Sequence, residues 1–233
     1  MKKSILFILL IMSNMVFSQD INLLDSNGKR HGIWKKNFEG TKAVRYEGQF
    51  NHGKEVGLFK FYKYVNKKSA LSATKQFNET NSFADVKFLT SKGKVISEGQ
   101  MDGKKYIGEW KYYHKNSNQL LRIEQYDSNG LQQGGLLIYF ENGTLAEKSF
   151  YKDNKLDGKS LWYNEKGIVV KEFIYKNDEL HGLSKYYSNE GDLIVEGLYK
   201  NNKKHGIWKY YQNGKLKEKK DFTRRSKNPY KKQ

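Results

Sequence analysis

Hydrophobic positions along this chain alternate with polar ones in short runs, and the runs recur. From Gly206 the chain reads Gly-Ile-Trp-Lys-Tyr-Tyr, then Asn213-Gly214, then a second alternating run. The period-two pattern predicts strands, because successive side chains of a strand point to opposite faces. It places Trp208 and Tyr210 on one face, and Ile207, Lys209 and Tyr211 on the other. A glycine opens similar runs at Gly32, Gly57, Gly108, Gly135, Gly158, Gly182 and Gly206. The interval from Gly57 to Gly108 is about double the rest, and a worn unit without the glycine begins near Phe83. Eight units are therefore expected, the third degenerate.

Turn signals divide each unit at Asn142-Gly143, Lys166-Gly167, Glu190-Gly191 and Asn213-Gly214. Asn-Gly between alternating runs predicts a two-residue hairpin turn with positive φ at both positions. Each unit then reads as one antiparallel β-hairpin, followed by a polar turn such as Lys200-Asn201-Asn202-Lys203 into the next. The opening glycine is expected in a tight inter-hairpin turn or where backbones approach closely. A lone hairpin is marginal in water, so the aromatics are expected to pack each hairpin on its neighbours. The fold class is all-β: an elongated, twisted single sheet of about eight hairpins. Sixteen strands at ~4.8 Å spacing would span roughly 75 Å.

The residues from Gly206 to Phe222, Gly182 to His205 and Gly135 to Asp157 carry the pattern G-x-W-x-x-Y, N-G, then Glu and an aromatic. This resembles the MORN repeat in its bacterial variant, over about residues 25–222. Many chains of this kind carry a YwqK-type antitoxin label. The resemblance implies an extended antiparallel β array with a binding role. Ser160 and Ser184 stand where the pattern has Trp and interrupt a continuous aromatic stripe.

The first twenty residues change the picture of where the protein works. Lys2-Lys3, an apolar run from Ile5 to Phe17 and small Ser18 form a secretory signal pattern over residues 1–18. The array is expected over 19–222, with a basic tail over 223–233, and the protein in the periplasm, at the outer membrane or outside the cell. There is no cysteine, so no disulfide can brace an exported fold.

Lys and Arg number 43 against 25 Asp and Glu, a formal charge of +18. Such an excess favours acidic partners. The candidate binding stripe is Trp34, Trp110, Trp208, Tyr112, Tyr186 and Tyr210, with Lys35, Lys111, Lys185 and Lys209 interleaved. A protein partner is the first expectation, and an anionic lipid or acidic glycan the second. Nucleic acid is disfavoured by export, and the oligomeric state is open.

No catalytic residues, metal site or cofactor are expected. His31, His181 and His205 each precede a unit glycine and are expected in equivalent turns, too far apart to share one zinc. The chain has no nucleophile elbow around Ser160 and no phosphate-binding glycine loop. Glu47, Glu98, Glu147, Glu172 and Glu196 recur by unit and are expected to pair with lysines across strands.

Overall fold

The computed structural model describes residues 20–223. It is one open antiparallel sheet without a helix. The signal-peptide expectation for residues 1–18 and most of the expected tail lie outside the described residues. A two-residue strand, β1 (Leu23–Leu24), pairs with β2 (Arg30–Asn37). Hairpin follows hairpin in sequence order. Unit one is β2 with β3 (Val44–Asn51), and unit two is β4 (Lys54–Val65) with β5 (Lys68–Phe77). Unit three is β6 (Phe83–Leu89) with β7 (Val95–Asp102), and unit four is β8 (Lys105–Tyr113) with β9 (Leu120–Tyr126). Unit five is β10 (Gly134–Tyr139) with β11 (Leu145–Lys152). In units six and seven the first strand is broken: β12 (Lys155–Leu156) and β13 (Gly158–Tyr163) face β14 (Val169–Lys176), and β15 (Glu179–Leu180) and β16 (Gly182–Tyr187) face β17 (Leu193–Lys200). Unit eight is β18 (Lys203–Gln212) with β19 (Lys215–Asp221). The eight expected units are all present, the worn third included.

The turns divide differently from the expectation. Asn213 and Gly214 both have positive φ, as expected, but so do Asp153-Asn154, Asn177-Asp178 and Asn201-Asn202, which join one unit to the next. At Asn142-Gly143, Lys166-Gly167 and Glu190-Gly191 only the glycine does. There the chain makes a longer loop, in which Gly143 N–H donates to Phe140 O and Phe140 N–H to Thr144 O. Such a loop is a tight turn plus a one-residue bulge, which needs one left-handed residue rather than two.

The unit glycine also has a different role. Gly206 lies inside β18, with φ of 65°, and a Cβ on it would meet nothing within 4 Å. Its strand partners β17 through Glu196↔Lys209 and Leu198↔His205, so Gly197 alone stands opposite Gly206, Ile207 and Trp208. The same two-residue excess sets Gly48 against Gly57-Leu58-Phe59, and Gly99 against Gly108-Glu109-Trp110. The repeated Gly-x-Trp is thus a β-bulge, and the glycine supplies its left-handed residue. An excess of two leaves side-chain parity unchanged, so the faces persist across every unit. Where unit three lacks the glycine, β5 and β6 pair without any shift. In unit five the residue in this role is Gly134, with φ of 97°, and not Gly135.

Bulges bend and twist the strands that carry them, and here they recur on the leading strand of a unit. The sheet therefore closes over its own Trp-bearing face. Trp110 and Trp208 are 0% exposed, although the sheet is a single layer. Each ring lies on the glycine that faces its bulge: a Cβ on Gly197 would stand 2.2 Å from Trp208, one on Gly99 2.5 Å from Trp110, and one on Gly48 2.4 Å from Phe59. The indole Nε1 then donates to the carbonyl of the following residue, Leu198 at 3.1 Å and Gln100 at 2.9 Å. Trp34 donates to Leu23 O at 2.9 Å, so β1 substitutes for a preceding unit.

Candidate binding faces

Strand parity separates the stripe expected from sequence. Trp34, Trp110, Trp208, Tyr112, Tyr186 and Tyr210 lie on the inner, bulge-covered face, while Lys35, Lys111, Lys185 and Lys209 lie on the outer one. A ligand cannot touch both sets from one side of a sheet. The buried tryptophans hold hairpins together: Trp110, stacked on Tyr106 of its own strand at 3.8 Å, packs with Ala84, Val86 and Met101 of unit three, and Trp208 makes an edge contact with Tyr199 of unit seven at 5.0 Å.

The aromatic stripe is broken into clusters, as Ser160 and Ser184 suggested. Both serines are buried at the Trp position. Here the bulk comes from the facing strand: Phe173 pairs with Ser160 and contacts Trp162 and Tyr186, each at 5.1 Å between centroids. Between units six and seven small and large residues have thus exchanged strands, Phe173 standing where unit seven has Gly197. At unit four the inner face turns polar. Glu124 is buried, accepts from Tyr126 at 2.7 Å and meets Arg122 at 3.3 Å, and Arg122 lies over the Tyr112 ring at 4.2 Å.

On the outer face the recurring glutamates do pair with lysines. Glu47 meets Lys60 at 3.7 Å, Glu98 meets Lys87 at 2.9 Å, Glu172 meets Lys159 at 2.7 Å, and Glu196 meets Lys209 at 3.0 Å. A tyrosine fifteen residues on donates to the same carboxylate: Tyr62 to Glu47 at 2.6 Å, Tyr113 to Glu98, Tyr187 to Glu172 at 3.5 Å, and Tyr211 to Glu196 at 2.8 Å. Glu147 is the exception. It shares the inner face with Trp162 and accepts from Ser149 Oγ at 2.6 Å, because unit five places Lys148, not Glu147, in the ladder position.

The hydrogen bond from Tyr113 and the Lys87 ammonium lower the Glu98 pKa, and Lys209 and Tyr211 lower that of Glu196. Burial, then the hydrogen bond to Glu47, pushes Tyr62 up to about 12, and burial with Glu98 does the same for Tyr113. A raised tyrosine favours the fold below its unfolded value of about 10 and loses that stabilisation as pH rises through the folded value. The lowered carboxylates act at the other end: their contribution is full above about 4.3 and is lost as pH falls through their folded values. Stability should therefore be level around neutrality and fall between pH 10 and 12, together with tyrosinate absorbance. Melting curves with absorbance at 295 nm test this; tyrosine ionisation complete by pH 10.5 without loss of structure would refute it.

The three histidines expected in equivalent turns are not in turns, His181 lying between β15 and β16. His205 lies in β18 and His31 in β2. His31 and His52 rings stand 4.8 Å apart, and His52 Nδ1 meets Asp25 Oδ2 at 2.6 Å, a clasp between the first turn and the entry segment.

Sequence reasoning missed two features. One is the set of receiving glycines, Gly48, Gly99 and Gly197, whose signal was the Glu-Gly dipeptide in three second strands. The other is an exposed apolar row on the outer face: Phe150, Ile174, Leu183, Leu198 and Ile207. Leu183 and Leu198 are cross-strand partners. In the first half of the sheet the row is mixed: Ile33 and Leu58 are exposed there but face Gln49 and Gln76, and further on Gln100 bonds to Asp85 at 3.2 Å and Gln125 to Glu109 at 3.0 Å.

The bulged hairpin with a tryptophan closed over glycine defines a class of repeat. The MORN repeat variant model matches residues 134–153, 156–177, 180–201 and 204–223, which are units five to eight. These four hairpins are similar to the MORN repeat in its variant form. No curated protein matches it.

Proposed function

We propose that this protein is a non-enzymatic, exported docking protein that binds a partner protein through the outer face of units five to eight. The exposed apolar row from Phe150 to Ile207 carries this reading. It lies beside the Glu–Lys–Tyr ladder, and apolar contacts rimmed by polar groups are what protein interfaces use. Charge supports the same half of the chain. Residues 134–223 hold sixteen Lys and Arg against thirteen Asp and Glu, whereas residues 20–133 hold twenty against twelve. Export rests on the leader pattern of the sequence. Neutralisation of a toxin would be one form of such docking.

A second reading, binding to an anionic lipid or acidic glycan, draws on the basic excess in residues 20–133. The ladder lysines speak against their own part in it, since Lys60, Lys87, Lys159 and Lys209 are already paired with acids. Cross-linking in native cell envelopes, with wild type beside Leu183→Asp/Leu198→Asp, tests the proposal. Wild type should recover a partner that the variant loses at unchanged melting temperature. Equal recovery by both refutes docking through this row, and cosedimentation with anionic vesicles at low salt would favour the second reading.

A further inference from the structure

We propose that Lys148 and Tyr163, on the outer face of units five and six, receive an acidic side chain of the partner protein. This rests on the docking reading above and adds the chemistry of the partner's contact. The outer-face ladder supplies the comparison. In unit eight, Glu196 accepts from Lys209 at 3.0 Å and from Tyr211 at 2.8 Å. Glu47 and Glu98 each gather a lysine and a tyrosine in the same way. Along this row Lys35, Lys60, Lys87, Lys111, Lys185 and Lys209 each stand directly opposite a glutamate. Lys148 lies in the row too, but with Leu137 on one side and Leu161 on the other.

Two donors are thereby left over. Among the described residues the Lys148 ammonium makes no ion pair, and it lies over the exposed Phe150 ring at 5.7 Å. Tyr163 follows Lys148 by fifteen residues, the interval that separates Glu172 from Tyr187 and Glu196 from Tyr211. It stands two positions beyond Leu161 on β13, and hence on the same face as Leu161 and Lys148. Its hydroxyl has no hydrogen-bond partner among the described residues. The acid on the far side of Leu161, Glu172, is already held by Lys159 at 2.7 Å and Tyr187 at 3.5 Å.

A carboxylate seated over Leu161 would meet both donors, as Glu196 meets Lys209 and Tyr211. Hydrogen bonds to an ionised acceptor are the stronger kind. Leu137, Leu161 and Phe150 surround the place, so the acid should be flanked by large apolar residues that cover them. An exposed ion pair is worth little, and these apolar flanks would shield this one once the partner is seated. A wholly apolar partner would match the leucines but bury the ammonium without a counter-charge, which is strongly unfavourable. Charge complementarity therefore selects an acidic occupant.

The test uses the full chain and the peptide acetyl-Leu-Val-Glu-Val-Leu-amide, with glutamine in place of glutamate in the control. NMR titration should show saturable shifts at Lys148, Leu161 and Tyr163. The control should bind roughly fivefold more weakly, the upper worth of one exposed ion pair. Lys148→Gln, which removes only the charge, should bind the two peptides equally. Lys148→Glu should lose the glutamate peptide without a lower melting temperature, because Tyr163 gains the acceptor its counterparts have. Equal binding of both peptides by wild type, absence of saturable shifts, or retention of binding by Lys148→Glu overturns the proposal. Binding to anionic vesicles that Lys148→Glu abolishes, without peptide binding, would overturn it in favour of a lipid headgroup. In envelope cross-linking, loss of the partner by Leu183→Asp/Leu198→Asp but not by Lys148→Glu sinks this site alone. Loss by neither variant sinks the docking reading itself.

Discussion

Trp110→Ala should destabilise units three and four by about 3–5 kcal/mol, the range for truncating a buried tryptophan. The ring is fully buried, stacks on Tyr106 at 3.8 Å, and closes a cluster with Ala84, Val86 and Met101. Its loss opens a void between two hairpins that have no second layer to collapse on them. It also leaves the Gln100 carbonyl without its indole donor. In a repeat array each hairpin leans only on its neighbours, so the damage should be local. Hydrogen exchange should rise in β6 to β9 and remain near wild type in β16 to β18. Uniform loss of protection along the chain would show instead that the array unfolds as one cooperative body.

Gly197→Val should be comparably severe, costing about 3 kcal/mol, the upper end of the usual range for overpacking. The obstruction begins at Cβ, which would stand 2.2 Å from the Trp208 ring. The ring cannot retreat without breaking its bond to Leu198 O and opening the bulge. Gly206→Val is an informative contrast, because space around Gly206 is open and only its φ of 65° resists the change. Combining Gly197→Val with Trp208→Ala should recover part of the loss, since the clash disappears while the cavity is partly filled. Denaturant unfolding of the two single variants and the double variant measures this coupling, and strict additivity would refute the ring-on-glycine contact.

Much of the architecture was legible from local pattern. Alternation at Gly206–Tyr211 assigned Trp208 and Lys209 to opposite faces, and the structure agrees. Repetition of the unit allowed eight hairpins to be counted through the worn third. The recurring glutamates were read as partners of lysine, which Glu47, Glu98, Glu172 and Glu196 are. The misreadings concern registers between strands. Gly135 was chosen over Gly134 because two adjacent glycines look alike in sequence, and only pairing with Tyr151 distinguishes them. Glu147 was grouped with the ladder glutamates because the distance to the next aromatic matches, although its side chain faces inward. The candidate stripe joined tryptophans and lysines that a sheet holds apart.

The sequence by itself determined the repeat, the strand periodicity, the two faces and the absence of disulfides, because these depend on neighbours along the chain. Tertiary structure decided why glycine and tryptophan recur together: three residues of one strand fold over a single glycine of another, and contact across strands is not written in either segment alone. It also decided which apolar residues stay exposed, since burial of the inner face depends on how far the bulges curl the sheet.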